Sequence, residues 1–131
     1  MTMSPNTATI LLVDDEELLR AGVQEMLEIQ GYNVITAANG QHALECLDAQ
    51  PIDLIITDLV MPKMNGIDFV QQLRQVRPDV PVIVVSGSTR NIMQRYGIDT
   101  IQVPGADASL PKPFKGVDLV AQVRQLLESR L

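Results

Sequence analysis

Leu54-Ile55-Ile56-Thr57-Asp58-Leu59-Val60-Met61-Pro62-Lys63-Met64-Asn65-Gly66 is the stretch whose reading decides the fold. It opens on an apolar run without polar alternation, the pattern of a strand covered on both faces in a parallel sheet. A Met-Pro…Gly loop follows, and Asp58 stands at the junction. Ligands of open α/β sheets sit just beyond the carboxyl ends of the strands. A carboxylate left at that point is placed for chemistry rather than for packing.

Working outward, the same alternation of apolar runs and amphipathic stretches extends along the chain. Thr9–Val13 reads as a buried strand ending on Asp14-Asp15. A helix is predicted over 16–30, with Leu19, Val23, Met26 and Leu27 on its inner face and Gly31 as a left-handed terminator. Tyr32–Ala37 is a second strand, and Asn39 caps a helix through Leu47 that Pro51 keeps from continuing. After the Ile52–Thr57 strand, residues 66–76 are helical, with Val70, Leu73 and Val76 facing inward. Val80–Val85 is a further strand ending on Ser86. Arg90–Tyr96 offers a short helix, Ile98–Val103 leans towards β, and Ala108–Leu110 is a short strand reaching Lys112-Pro113-Phe114. The last helix buries Val120, Val123 and Leu127. Strands alternating with helices through short connections define an α/β fold with a parallel sheet.

Composition narrows the function classes. The 131 residues suffice for one domain, expected over 9–131 after a flexible segment, 1–8, with no output domain. Hydrophobic residues make up 46% of the chain, yet there is no Trp and only two Phe and two Tyr, so the core is aliphatic. A net charge of −6 argues against direct binding to nucleic acid or to an anionic membrane. The single cysteine, Cys46, fits a reducing compartment. No run has the length of a membrane span and Met1–Ala8 lacks the features of a signal peptide, so a cytoplasmic location is expected.

The strand ends carry the chemistry. Asp14 and Asp15 follow the first strand, Asp58 the third, Ser86 the fourth and Lys112 the fifth, and in a parallel sheet all these ends open on one edge. Crowded carboxylates repel unless a cation joins them. With only oxygen ligands on offer, a hard divalent ion is implied, Mg²⁺ first and Mn²⁺ as a substitute. A metal, an ammonium and a hydroxyl together cradle a phosphoryl group, whose transfer needs positioning and counter-charge. A carboxylate can itself be the nucleophile, and Asp58, between the acid pair and the lysine, is the candidate.

The Asp14-Asp15 pair, Asp58 in Asp-Leu-Val-Met-Pro-Lys-Met-Asn-Gly, Ser86-Gly87 after a Val-rich strand, and Lys112-Pro113-Phe114 together resemble the receiver domain of two-component response regulators. The similarity runs from about Ile10 to Leu131. It implies a flavodoxin-like doubly wound sheet of five parallel strands, order 2-1-3-4-5, flanked by five helices. It further implies that Asp58 accepts a phosphoryl group from a sensor histidine kinase or a histidine phosphotransfer protein. Asp15, Asp58 and the backbone carbonyl of Val60 would bind Mg²⁺ directly, and Asp14 through water. Lys112, Ser86 and the backbones of Gly87 and Leu59 would contact the phosphoryl group, and the bond to Pro113 would be cis. Such a domain is a phosphoacceptor signalling module rather than an enzyme in the usual sense. Its output would be binding to a downstream protein or to a second copy of the chain.

Two departures from the family pattern stand out. Ser109 occupies the position where receivers usually carry Tyr or Phe, so the aromatic half of the usual switch is missing. The segment between Ser86 and Lys112 is also longer than common, with Gly97, Pro104 and Gly105, which predicts a short, displaced or mobile helix there. These departures leave open a docking module whose partner binding ignores phosphorylation. An aspartyl-phosphate phosphatase fits poorly, because Val60 stands where such enzymes place a second acid, and no Walker A pattern supports a nucleotide switch. His42 reads as a surface residue, Cys46 as structural, Met61 and Met64 as packing residues, and Tyr96 as a weak substitute for the missing aromatic.

Overall fold

A computed structural model describes residues 8–59, 64, 66–86, 105–111 and 114–129 of the chain. Its elements, in order, are β1 (Thr9–Val13), α1 (Glu17–Ile29), β2 (Asn33–Ala37), α2 (Gly40–Ala49), β3 (Leu54–Asp58), α3 (Gly66–Val76), β4 (Val82–Ser86), β5 (Ala108–Pro111) and α4 (Gly116–Glu128). The five strands form one sheet in the order β2-β1-β3-β4-β5. Every neighbouring pair is parallel. The expected fold class is therefore present, with four helices among the described residues. The predicted helix over 90–96 and the β-leaning 98–103 segment lie outside those residues.

Strand periodicity divides the core into two layers. Leu11, Val13, Ile55, Val82 and Val84 face one side of the sheet, where they pack with Ala43 and Leu47 of α2 and Phe69, Val70 and Leu73 of α3. Ile10, Leu12, Leu54, Ile56, Ile83 and Val85 face the other, against Val23 and Leu27 of α1 and Leu119, Val123 and Leu127 of α4. β3 lies at the centre and every one of its residues is buried. This explains why its sequence shows a continuous apolar run rather than alternation. Truncating one such aliphatic side chain to Ala costs on the order of 2–5 kcal/mol, so this strand is a rigid mount for whatever follows it.

Local signals end the helices where the sequence places them. Gly31 has φ 98°, and its N–H donates to Glu28 O at 2.9 Å while Tyr32 N donates to Leu27 O at 3.2 Å. That paired arrangement is a Schellman cap, and Tyr32 buries its ring in the same layer as Leu27. Asn39 Oδ1 accepts from the His42 amide at 2.9 Å and caps α2. Two expectations about inward faces are corrected. Val76 is 61% exposed, because it occupies the last residue of α3, beyond the turn covered by the sheet, and Phe69 supplies the buried bulk instead. In α4, Leu119 is fully buried whereas Val120 is only partly so.

At the opposite edge from the strand carboxyl ends, Arg74 ties α3 to the entry of β5. Its guanidinium donates to Gly105 O (2.6 and 2.9 Å), Val80 O (2.6 Å) and Pro78 O (3.0 Å), and pairs with Asp107 Oδ2 at 2.9 Å. Asp107 Oδ2 also accepts from Val82 N at 2.8 Å, so β4 and β5 start in a fixed register.

Candidate functional site

β1 and β3 lie side by side, so the residues that leave their carboxyl ends meet. Asp14 N continues the ladder by donating to Ala37 O at 3.0 Å, which holds the first residue after β1 against β2. Asp14 Oδ1 accepts from Glu16 N at 2.8 Å, and Asp14 O accepts from Arg20 Nη1 at 2.6 Å. The turn into α1 is thereby fixed from both ends of Asp14. On β3, Leu59 N donates to Val85 O at 3.0 Å, and Thr57 Oγ1 donates to Asp58 O at 3.0 Å.

The first residue of α3 lies close to this point. Gly66 N donates to Leu59 O at 2.7 Å, and a Cβ at position 66 would meet Asp58 O at 2.5 Å and Leu59 Cα at 2.8 Å. Only a residue without a side chain lets the start of α3 lie so close to the backbone of Asp58. Met64 packs against the α2/α3 layer.

Carboxylate oxygens of Asp14, Glu16 and Asp58 all lie within 4.8 Å of one another. Asp14 and Asp58 are each only 4% exposed, while Glu16 reaches in from the solvent side. Three anionic groups at this spacing, two of them withdrawn from water, need a counter-charge. The donor set consists of oxygens alone, which suits a hard divalent cation such as Mg²⁺. His42 is exposed on α2 and is not one of the grouped residues, and Cys46 packs against the α2/α3 layer. Burial, reinforced by the neighbouring Glu45 charge, pushes the Cys46 thiol above its ordinary pKa, which fits a structural residue.

The sequence-derived site residues fare differently. Asp14 and Asp58 come together as expected. Asp15 is exposed and is not one of the three grouped carboxylates, whereas Glu16, not foreseen as a ligand, is. The amide of Leu59 donates to Val85 O and its carbonyl accepts from Gly66 N. Ser86 closes β4 in register with Pro111 of β5, the residue before Lys112. Ser109 is exposed on β5 opposite Val84. Val60, Gly87, Lys112 and Pro113 lie outside the described residues, as do Met61, Tyr96 and the segment 1–7. Glu16 had a weak signal in the sequence, as one of four consecutive acids, but nothing there says which of them turns inward.

A parallel sheet in the order β2-β1-β3-β4-β5, with carboxylates gathered at its carboxyl edge, places the chain in the doubly wound α/β class. Comparison with known proteins makes the class specific. Residues 10–124 match the response regulator receiver domain, and the chain belongs to that family. It is 43% identical over 118 residues to the transcriptional regulatory protein CpxR of Escherichia coli K12, covering 90% of this chain and 48% of CpxR. The chain thus spans about half the length of the curated relatives it matches. Among solved structures, the receiver domain of Francisella response regulator 1452 superposes with a TM-score of 0.80 at 27% identity, covering 95% of this chain and all (100%) of that one. TrrA of Thermotoga maritima, solved in complex with Mg²⁺–BeF, gives 0.79 at 28% identity, with 92% and 99% covered. Receiver domains are phosphoacceptor signalling modules rather than conventional enzymes. No helix among the described residues is long and apolar enough to cross a membrane.

Proposed function

We propose that this chain is a phosphorylation-controlled switch in which Asp58 accepts a phosphoryl group from a phosphohistidine on a sensor kinase or phosphotransfer protein. The observation that carries this reading is the burial of Asp58 at the end of the central strand, with the carboxylates of Asp14 and Glu16 within 4.8 Å. A docking module indifferent to phosphorylation has no use for buried carboxylates packed together, so that alternative is not favoured. TrrA, a relative of the same fold, was solved with Mg²⁺–BeF, which agrees with a cation and an anion sharing such a site.

In the transfer, an Asp58 carboxylate oxygen forms a bond to phosphorus as the bond from phosphorus to the donor imidazole nitrogen breaks. The electron pair stays on that nitrogen, which regains a proton from solvent. Charge spreads over the equatorial oxygens, and counter-charge rather than bond-making help lowers the barrier. Bound Mg²⁺, held by Asp58 and the acids that follow β1, would supply part of that counter-charge. Lys112, which follows β5 directly, would supply the rest, and the Ser86 hydroxyl would donate to a phosphoryl oxygen. Hydrolysis of the aspartyl phosphate would reset the switch.

Output is then a change in protein–protein binding, to a downstream protein or to a second copy of the chain. Ser109 is exposed where an aromatic would couple the site to this surface, so the read-out runs through other contacts. A receiver domain over 9–131 and a cytoplasmic setting belong to the same reading, with the bound set at Ala8 corrected by one residue, since Ala8 O accepts from Asn33 N at 3.0 Å and its side chain packs on the core.

The test is intact-mass measurement after incubation with Mg²⁺ and a small phosphodonor. A phosphoryl adduct is expected in the wild type and lost in Asp58→Ala or on chelation of Mg²⁺. A wild type that stays unmodified under conditions that label an ordinary receiver overturns the proposal.

A further inference from the structure

α1 and α4 both start at the carboxyl edge of the sheet and return over the same face, so they run side by side in one direction. Gly116 lets Met26 Sδ lie against the start of α4. Beside that contact a groove of about 420 Å³ opens between the helices, with Met26 and Gln30 on one bank and Val117, Val120, Ala121 and Arg124 on the other. Large apolar side chains stand out in water along it: Leu18 is 90% exposed, Ile29 74% and Val117 73%. Their spacing is regular. Leu18, Gly22, Glu25 and Ile29 follow one another at i, i+4, i+7 and i+11 and form one exposed stripe of α1. Val117, Ala121, Arg124 and Glu128 repeat that spacing on α4, and all four are exposed. The third place of each stripe is charged, with opposite signs, and neither Glu25 nor Arg124 forms an ion pair among the described residues.

We propose that two copies of the chain associate through this face, in a two-fold dimer that lays the α1 stripe of each copy along the α4 stripe of the other. The charges choose the occupant. A two-fold apposition brings Glu25 of each copy to the partner's Arg124, so the pair forms twice, and it covers Leu18 and Ile29 with the Val117–Ala121 side of the partner. Laying α1 on α1 would instead set Glu25 against its own copy. With a net charge of −6 two copies repel at long range, so this local match is what selects one orientation. The inference does not rest on the phosphoacceptor reading. None of these residues belongs to the carboxylate group, and the association requires no phosphoryl group.

Size sets the expected strength. Each helix has 13 residues and is about 20 Å long, so two abreast offer a face that buries on the order of 1,000 Å² in total across the dimer. That is the low end for a specific interface, which places the dissociation constant in the micromolar range. An exposed ion pair contributes little by itself, but two-fold symmetry doubles it. Reversing one charge therefore replaces two attractions with two repulsions.

The experiment is sedimentation velocity of the unphosphorylated chain from about 5 to 500 µM, for the wild type, Glu25→Arg, Arg124→Glu, an equimolar mixture of those two, and Asp48→Arg on the exposed side of α2 as control. All three positions are exposed on helices, so the variants are expected to fold, and circular dichroism verifies it. The wild type is expected to dimerise reversibly, and each reversal at Glu25 or Arg124 to weaken the dimer at least about tenfold. The mixture should return to within about threefold of the wild type, because only contacts between the two variants restore opposite charges at both sites. Glu25→Arg also lowers the net negative charge, so general repulsion alone would make it associate more strongly, as it would Asp48→Arg. A wild type that stays monomeric at 500 µM overturns the proposal and leaves the face to a different protein. A dimer unaffected by the reversals, or a mixture no stronger than its components, overturns it too. Each of these results leaves the phosphoacceptor reading standing, since no phosphoryl group enters the measurement.

Discussion

Replacing Gly66 with Ala probes the joint that holds Asp58 in place. The added Cβ would lie 2.5 Å from Asp58 O and 2.8 Å from Leu59 Cα, both main-chain atoms that no rotamer change can move. Against an ordinary contact of about 3.4 Å or more, the loop must back away by roughly 0.9 Å, or the end of β3 must shift by as much. Overpacking of this kind costs about 1–3 kcal/mol, partly offset by the better helix propensity of Ala. The matched control is Gly22 in α1, where an added Cβ would meet nothing within 4 Å and Ala should stabilise by about 0.5–1 kcal/mol. The two Gly→Ala substitutions should thus move the urea midpoint in opposite directions. Displacement of the Asp58 backbone also misplaces the nucleophile, so Gly66→Ala should slow adduct formation from a small phosphodonor at least about tenfold, and Gly22→Ala should not. A Gly66→Ala protein as stable as the wild type, and labelled at the wild-type rate, would refute the close-approach argument.

Two further perturbations test the scaffold. Arg74→Met removes the guanidinium that satisfies Gly105 O, Val80 O and Pro78 O and pairs with Asp107, and should cost about 2 kcal/mol in urea unfolding, with faster hydrogen exchange at the start of β5. An unchanged midpoint would show that water replaces those bonds without loss. Tyr32→Phe removes a buried hydroxyl that has no hydrogen-bond partner among the described residues, and should leave stability unchanged or raise it by up to about 1 kcal/mol. A clear drop in the thermal midpoint would mean that the hydroxyl is satisfied in solution.

The layered fold was legible because period and punctuation agree. Leu54–Thr57 reads as a two-face-buried strand and proves to be the central one, and Gly31 and Asn39 end and begin their helices with the geometry their chemistry favours. Val76 shows the limit of periodicity. Spacing marks the face of a helix, but whether a neighbour covers each turn depends on where the sheet stops, and at Val76 it does not reach.

At the site, the sequence by itself determined which residues could do phosphoryl chemistry: Asp58 after the central strand, acids after β1, Ser86 and Lys112 after the strands beyond. Composition set the aliphatic core and the acidic balance. Tertiary structure decided which acids meet. Among four consecutive carboxylates the turn held by Asp14 Oδ1 and Arg20 brings an exposed Glu16 into the group with Asp14 and Asp58 and leaves Asp15 out of it, a matter of dihedral angles that no residue type announces. The need for Gly66 is of the same kind, since it arises from a backbone approaching across space rather than from a left-handed turn. Residue identity sets what chemistry is available, and the packing of distant segments sets the few ångströms that make it a site.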